Sequence, residues 1–231
     1  MSGFLGLKSG GGGDTVPVVS FDFSTVASDL IASPGDFEVL HTDKADSIDI
    51  DGTALNINCS STSSNFAGVA TAPAVGYVIE RDPIYATVFD ALVQGNPDQQ
   101  YEALGIAFAV DTGTIGANYV QVSVRGDLAT YLTYLGSGNS SFGSGVTPTD
   151  KHWLRIVAAP GFEAMTVFAQ PWTSGSQPPT TGWGTGYRWS STAAFMKSSS
   201  IRALCWAGPH NTQDNFEASF EYARIRGGIK V

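Results

Sequence analysis

Apolar and polar residues alternate with a period of two along most of this chain. The pattern is plainest between His152 and Pro171. There Leu154, Ile156 and Ala158 alternate with Trp153, Arg155 and Val157. After a Pro160-Gly161 break, Met165, Val167 and Ala169 alternate with Thr166, Phe168 and Gln170. Successive side chains of a strand point to opposite faces, so the stretch predicts two antiparallel strands joined by a tight connection. Residues 47–60, SIDIDGTALNINCS, predict a second hairpin. Ile48, Ile50, Leu55, Ile57 and Cys59 form its apolar face, and Gly52 sits in the turn.

The same reading places further strands at Val18 to Phe23, 76–80, 84–93, 103–111, 119–125, 128–135, 201–207 and 216–226. The run 103–111 is almost continuously apolar, as in a central strand buried on both faces. In the last strand, Phe216, Ala218, Phe220, Tyr222 and Arg224 are expected on one face. Glu217, Ser219, Glu221, Ala223 and Ile225 are expected on the other. Residues 24–46 are mixed around a Ser33-Pro34-Gly35 turn, while 61–74 and 136–150 read as loops. Residues 172–200 carry Trp172, Trp183, Tyr187 and Trp189 among Gly, Ser, Thr and Pro. That is too long for an ordinary connection, so it predicts a functional or interfacial segment. There is no helical period and no internal repeat. Roughly ten to twelve short strands imply an all-β fold, a two-sheet antiparallel sandwich or jelly roll.

Composition narrows the function. Of 231 residues, 42% are hydrophobic, enough for a sizeable core, and only 14% are charged, well below the roughly 25% of an average domain. The formal net charge of −9 argues against nucleic acid, whose phosphates need Lys and Arg, and against docking on an anionic membrane. No apolar run approaches the ~18 residues of a membrane-spanning helix. The N-terminus lacks the basic and long apolar regions of a secretory signal. Cys59 and Cys205, far apart in sequence, read as buried thiols or as one disulfide.

Two units are predicted: an arm over residues 1–15 and a sandwich domain over 16–231. The arm carries Phe4, Leu5 and Leu7, then Lys8, Ser9 and the flexible run Gly10 to Gly13. It reads as a disordered tail or as a tethered apolar anchor that reaches a neighbouring subunit.

The runs YEALGIAFAVD, NYVQVSVRG, HWLRIVAAPGFEAMTVFAQPW, IRALCWAG and FEASFEYARIR, in that order, resemble concanavalin A-like lectin/glucanase domains. The style is nearest to laminin-G-like jelly rolls, and the likeness covers about residues 16–228. The resemblance implies a fold that hosts lectins, glycosidases, adhesion modules and viral coat or tail proteins. Glycosidases of this kind carry Glu-x-Asp-x-x-Glu on one strand. The nearest match here, Ser47-Ile48-Asp49-Ile50-Asp51, has Ser47 in the nucleophile position and no closing Glu. Glu217 and Glu221 stand two pleats apart, ~13 Å by strand rise and beyond a glycosidase pair, so they read as a solvated face. No enzyme is expected.

His41, His152 and His210 share no metal-ligand spacing. Calcium is common on the resembled fold, and Asp111, Asp127 and Asp214 offer one loop carboxylate each, too few for a pattern. No cofactor is expected. Trp183, Tyr187 and Trp189, in GWGTGYRWS, are candidates for a stacking platform for sugar rings, with Arg188 as a donor to hydroxyls. Together with Trp172 they are read first as a loop that caps the sandwich or meets another subunit, and second as that platform. The leading expectation is a non-enzymatic virion protein of a tailed phage, decorating the capsid or forming part of the tail. It joins other virion subunits, or copies of itself, through Phe4, Leu5 and Leu7, with host-surface glycan as a further partner. A free carbohydrate-binding module is the alternative, and a glycan-cleaving enzyme ranks third.

Overall fold

The computed structural model describes residues 18–21, 23–35, 37–40, 45–59, 67–71, 78–79, 82–97, 102–109, 119–136, 138–184, 186–189, 201–208, 216–227 and 229–230. Phe4, Leu5 and Leu7 of the arm lie outside these residues, as do Asp111, Asp214, His41 and His210. The described elements in chain order are β1 (Val18–Ser20), β2 (Phe37–Leu40), β3 (Ser47–Ile50), β4 (Leu55–Cys59), β5 (Ala67–Thr71), β6 (Val78–Ile79), β7 (Thr87–Gly95), β8 (Ala103–Ala109), β9 (Tyr119–Arg125), β10 (Tyr131–Leu135) and β11 (Gly138–Phe142). They continue with β12 (His152–Ala158), β13 (Met165–Pro171), β14 (Tyr187–Trp189), β15 (Arg202–Gly208), β16 (Phe216–Arg226) and β17 (Ile229–Lys230).

Two antiparallel sheets face each other. The first runs β14-β13-β12-β7-β16-β4-β3, with β1 also paired to β16. The second runs β11-β10-β9-β8-β15-β5-β2, and β6 and β17 form a separate ribbon. Both sheets put one set of alternating side chains into a shared core. The first sheet supplies Phe89, Leu154, Ile156, Val167, Phe216 and Phe220, and the second Leu104, Ile106, Phe108, Val122 and Cys205. Phe108 meets Phe89 of the facing sheet at a tilt and stacks with Phe162 from the turn after β12, with ring centroids 5.8 and 6.0 Å apart.

The second sheet is also buried on its outer side, where Leu40, Ala103, Ala107, Tyr119, Leu204 and Trp206 form a smaller cluster. This explains why 103–109 reads as continuously apolar: every residue of β8 is buried. Small residues make room for Trp206, which pairs with Gly68 on one side and Gly105 on the other.

Four expectations need correction. A strand, β5, lies within the expected loop 61–74, because Val69 is fully buried in the core and β5 has ladder partners on both sides, in β15 and β2. A polar strand, β11, lies within the expected loop 136–150. It pairs only with β10, so its side chains stay largely outside the core and give no apolar signal. The connection after β12 is longer than a tight turn. Pro160–Phe162 forms a 3-10 turn that drives Phe162, at positive φ, into the core.

The fourth correction shapes the candidate site. A β-bulge between Phe220 and Tyr222 in β16 inserts one extra residue. Phe216, Ala218 and Phe220 face the core, but beyond the bulge Ala223 and Ile225 do, and Tyr222 and Arg224 are turned to the outer face. Keeping strict alternation would have placed arginines among phenylalanines, which costs more than one unpaired ladder residue.

Cys59 and Cys205 are both free and buried. Burial pushes the Cys59 thiol up to about 12, and the Cys205 thiol upward as well.

Candidate functional site

The outer face of the first sheet collects the polar and aromatic residues of seven strands. Cross-strand register sets them in rows. One row runs Phe168, Arg155, Asp90, Arg224 across β13, β12, β7 and β16. The next runs Gln170, Trp153, Leu92, Tyr222. Further along, Gln94, Ser219, Asn56 and Asp49 form a row across β7, β16, β4 and β3.

Asp90 is fully buried and is the hub of the first row. Arg155 Nε donates to its Oδ1, Arg226 donates to its Oδ2 at 3.1 Å, and Arg224 stands 3.8 Å from the same oxygen. Arg155 lies 4.2 Å under the ring of Trp183, and Trp183 meets Phe168 edge to face at 6.1 Å. Tyr222 packs edge-on against Trp153 at 5.5 Å, takes Arg224 over its ring at 5.4 Å, and donates its hydroxyl to Gln177 at 3.4 Å. The segment after β13 is therefore laid back over the outer face, touching it at Gln177 and Trp183.

The five residues singled out in 172–189 do not share one surface. Trp183 belongs to the outer face, its indole N–H bonded to the Pro179 carbonyl at 2.7 Å. Tyr187 and Trp189 pack against the core from β14, their rings 4.9 Å apart. Trp189 Nε1 donates to Thr133 of the opposite sheet at 3.1 Å, so this pair closes one edge of the sandwich. Arg188, between them, is exposed. Trp172 stands beside Lys151, whose ammonium is 5.1 Å from its ring, and bonds to the Gly175 carbonyl. Strand alternation explains the split, because neighbours in Tyr187-Arg188-Trp189 must face opposite ways.

A groove of about 390 Å³ opens at the other end of the same face. Asp49, Asn56, Asn58, Gln94, Asn96, Glu217 and Ser219 line it, with Gly95 and Ala218. Its polar walls are braced: Asn58 donates to Ser47 at 2.7 Å, Asn56 to Asp51 at 3.1 Å, and the Glu217 backbone N–H to Asn96 Oδ1 at 2.8 Å. A Cβ on Gly95 would meet the Glu217 carbonyl at 2.7 Å, so β7 is bare backbone there. Glu217 is exposed, and Asp49 faces Asn56 rather than an apolar wall. Glu221, at the bulge, pairs with Lys151. The hairpin turn is held by Asp51, which four hydrogen bonds, the Thr53 hydroxyl first, hold well below the usual carboxylate range.

Among the described residues, no three His, Cys, Asp or Glu side chains converge as metal ligands. Asp127 is ion-paired with Arg125. His152 is buried between Tyr131 and the Thr147 carbonyl, each 3.0 Å away. A carbonyl only accepts, so Nε2 carries the proton and Nδ1 accepts from the Tyr131 hydroxyl. Burial lowers the pKa of His152 and keeps it neutral.

The path of the chain through the two sheets is shared with solved structures. Lectin II from Ulex europaeus superposes with a TM-score of 0.58 at 9% identity, over 93% of this chain and 98% of the lectin. The chain has the concanavalin A-like jelly-roll fold. Lectin I-B4 from Griffonia simplicifolia, in a metal-free form, matches with a TM-score of 0.54 at 12% identity, over 90% of this chain and 98% of that one. A GH43 protein from Bacillus licheniformis matches with a TM-score of 0.58 at 11% identity, over 89% of this chain but only 38% of its own. No protein-family model and no curated protein matches the sequence. On this concanavalin A-like sandwich, the groove and the arginine row lie on one outer face, that of the first sheet.

Proposed function

We propose that this chain is a non-catalytic glycan-binding module and that the groove between β3, β4, β16 and β7 is its sugar site. The observation that carries the reading is the lining. Two carboxylates, four amides and a hydroxyl from four adjacent strands surround bare backbone. Planar amides and carboxylates, held at fixed angles by their neighbours, suit vicinal sugar hydroxyls, which both donate and accept. Exposure of Glu217 removes the apolar surroundings that a glycosidase uses to keep its general acid protonated, which favours binding over cleavage.

Affinity electrophoresis in soluble neutral polysaccharides (xylan, mannan, galactan and β-glucan) tests this. At least one polymer is expected to retard the protein without release of reducing ends. Asn56→Ala and Asn58→Ala are each expected to weaken that binding about tenfold, one lost hydrogen-bonding side chain apiece, while losing their bonds to Asp51 and Ser47 lowers the melting temperature by only about 2–4 °C. Retardation that survives both substitutions, or turnover of the polymer, overturns the reading.

A second reading concerns where the module works, and a sequence observation favours it: Phe4, Leu5 and Leu7 precede Gly10 to Gly13. The arm tethers the sandwich to a larger assembly, a phage virion, where it contacts other subunits or copies of this chain and displays the groove to host-surface glycan. Each apolar side chain contributes up to ~1.5–3 kcal/mol if fully buried. Ordering the arm offsets much of that, so one copy binds weakly and several bind through avidity. Deletion of residues 1–13 is expected to leave a folded sandwich that no longer joins particles. Equal incorporation of the truncated and full-length proteins, measured on purified particles, would remove this role.

A further inference from the structure

The arginine row has more positive charge and more donors than its own residues satisfy. Arg155, Arg224 and Arg226 all converge on one carboxylate, that of Asp90. Arg188, a fourth, is exposed on the outer side of the neighbouring β14. Four of the twelve basic residues of an acidic chain thus stand on one face, three of them around Asp90. The donor balance points the same way. Trp153 Nε1, Arg224 Nε and Arg226 Nε are shielded from water and have no hydrogen-bond partner among the described residues. Trp153 and Arg224 both pack on the Tyr222 ring, and Arg224 and Arg226 share Asp90 Oδ2, so the four side chains form one line of contacts along the face. Unpaired buried donors are costly and rare. Arg224 and Arg226 keep 21% and 35% of their side-chain surface exposed, so a ligand can reach them.

We infer that the Arg224–Arg226 corner, with Trp153 and Tyr222, binds an anionic substituent of the glycan, a uronate carboxylate or a sulfate ester. Guanidinium groups pair with planar or tetrahedral oxyanions through two parallel N–H donors, which the groove, lined by two carboxylates and by amides, does not offer. The inference rests on the groove reading for the rest of the sugar chain. From Ser219 to Arg224 is about 13 Å along β16 by strand rise, discounting the bulge residue. An oligosaccharide spans that distance and a monosaccharide does not. The acidic group would sit at the corner while hydroxyls further along the chain fill the groove.

Paired polymers that differ only in charge test this: polygalacturonate against its fully methyl-esterified form, and dextran sulfate against dextran. Inorganic sulfate serves as the free-anion arm. The anionic member of at least one pair is expected to bind tenfold or more tightly than its neutral partner, and sulfate alone to compete only weakly. Raising NaCl from 50 to 300 mM is expected to weaken the anionic member alone. Arg224→Gln with Arg226→Gln is expected to abolish the difference within a pair. Arg224→Lys with Arg226→Lys keeps the charge and the Asp90 pairing, so it should fold and retain part of the preference. Loss of preference in the Gln variant together with intact binding in Asn56→Ala sinks the groove reading and leaves this one standing. Equal binding of both members of each pair, or a preference untouched by either double variant, overturns the inference. Absence of binding to any of the four polymers overturns it as well.

Discussion

Asp90→Ala is expected to destabilise the protein by roughly 3–5 kcal/mol, the usual cost of removing one partner from a buried ion pair. For a domain of this size that lowers the melting temperature by about 6–20 °C. The carboxylate is fully buried and answers two bonded guanidinium groups and a third 3.8 Å away. Without it, three arginines face one another across an uncompensated hole. Arg155 has no easy way out, because the Trp183 ring lies over it. Scanning calorimetry reads the loss, and salt identifies its origin. Raising ionic strength shortens the range of repulsion between the partly exposed arginines, so added NaCl should narrow the gap between variant and parent. A fall of under 2 °C would mean that Asp90 neutralises nothing of consequence.

Gly105→Ala should be at least as damaging. A Cβ at Gly105 would stand 2.3 Å from the Val122 carbonyl oxygen and 2.9 Å from Ser123 Cα. Both contacts are to the adjacent strand β9, so relief requires prising β8 from its ladder. We expect a cost of about 3 kcal/mol or more, at the upper end for overpacking, and poor recovery of soluble protein. Gly184→Ala is the matched control. Nothing lies within 4 Å of a Cβ there, and it should be neutral. If the two variants melt together, the close approach of β8 to β9 is not as drawn.

The strands were legible where one face is wet. β3, β4, β12 and β13 follow their alternation closely, because a sheet with one polar side writes its register into the sequence. β5 was hidden because Ala67, Gly68 and Val69 are all buried and carry no alternation to read. β11 was hidden for the opposite reason, since Gly138–Phe142 is an edge segment made mostly of small polar residues. The site was less legible than the fold. The groove draws on β3, β4, β7 and β16, and only the folded register makes neighbours of Asp49, Gln94 and Glu217. Asn56 and Asn58 could be seen as a polar face but not as a wall. The aromatic residues of 172–189 attracted attention by their density, yet Tyr187 and Trp189 serve the core edge while Trp183 covers Arg155. A signal for the arginine corner was present. Arg224 fell in the same alternating set as Phe216 and Phe220, an assignment no core tolerates, and a bulge is the usual remedy.

That bulge changes the parity of β16, which matters to anyone who rewrites the surface of this protein. Up to Phe220 the odd-numbered positions, Glu217 and Ser219, face out, and the even-numbered ones are core. From Tyr222 onward the rule reverses: even positions face out, and Ala223 and Ile225 are core. A library that randomises every second residue along the whole strand would diversify the face in its first half and wreck the interior in its second. The safe design is two libraries, offset by one residue at Glu221.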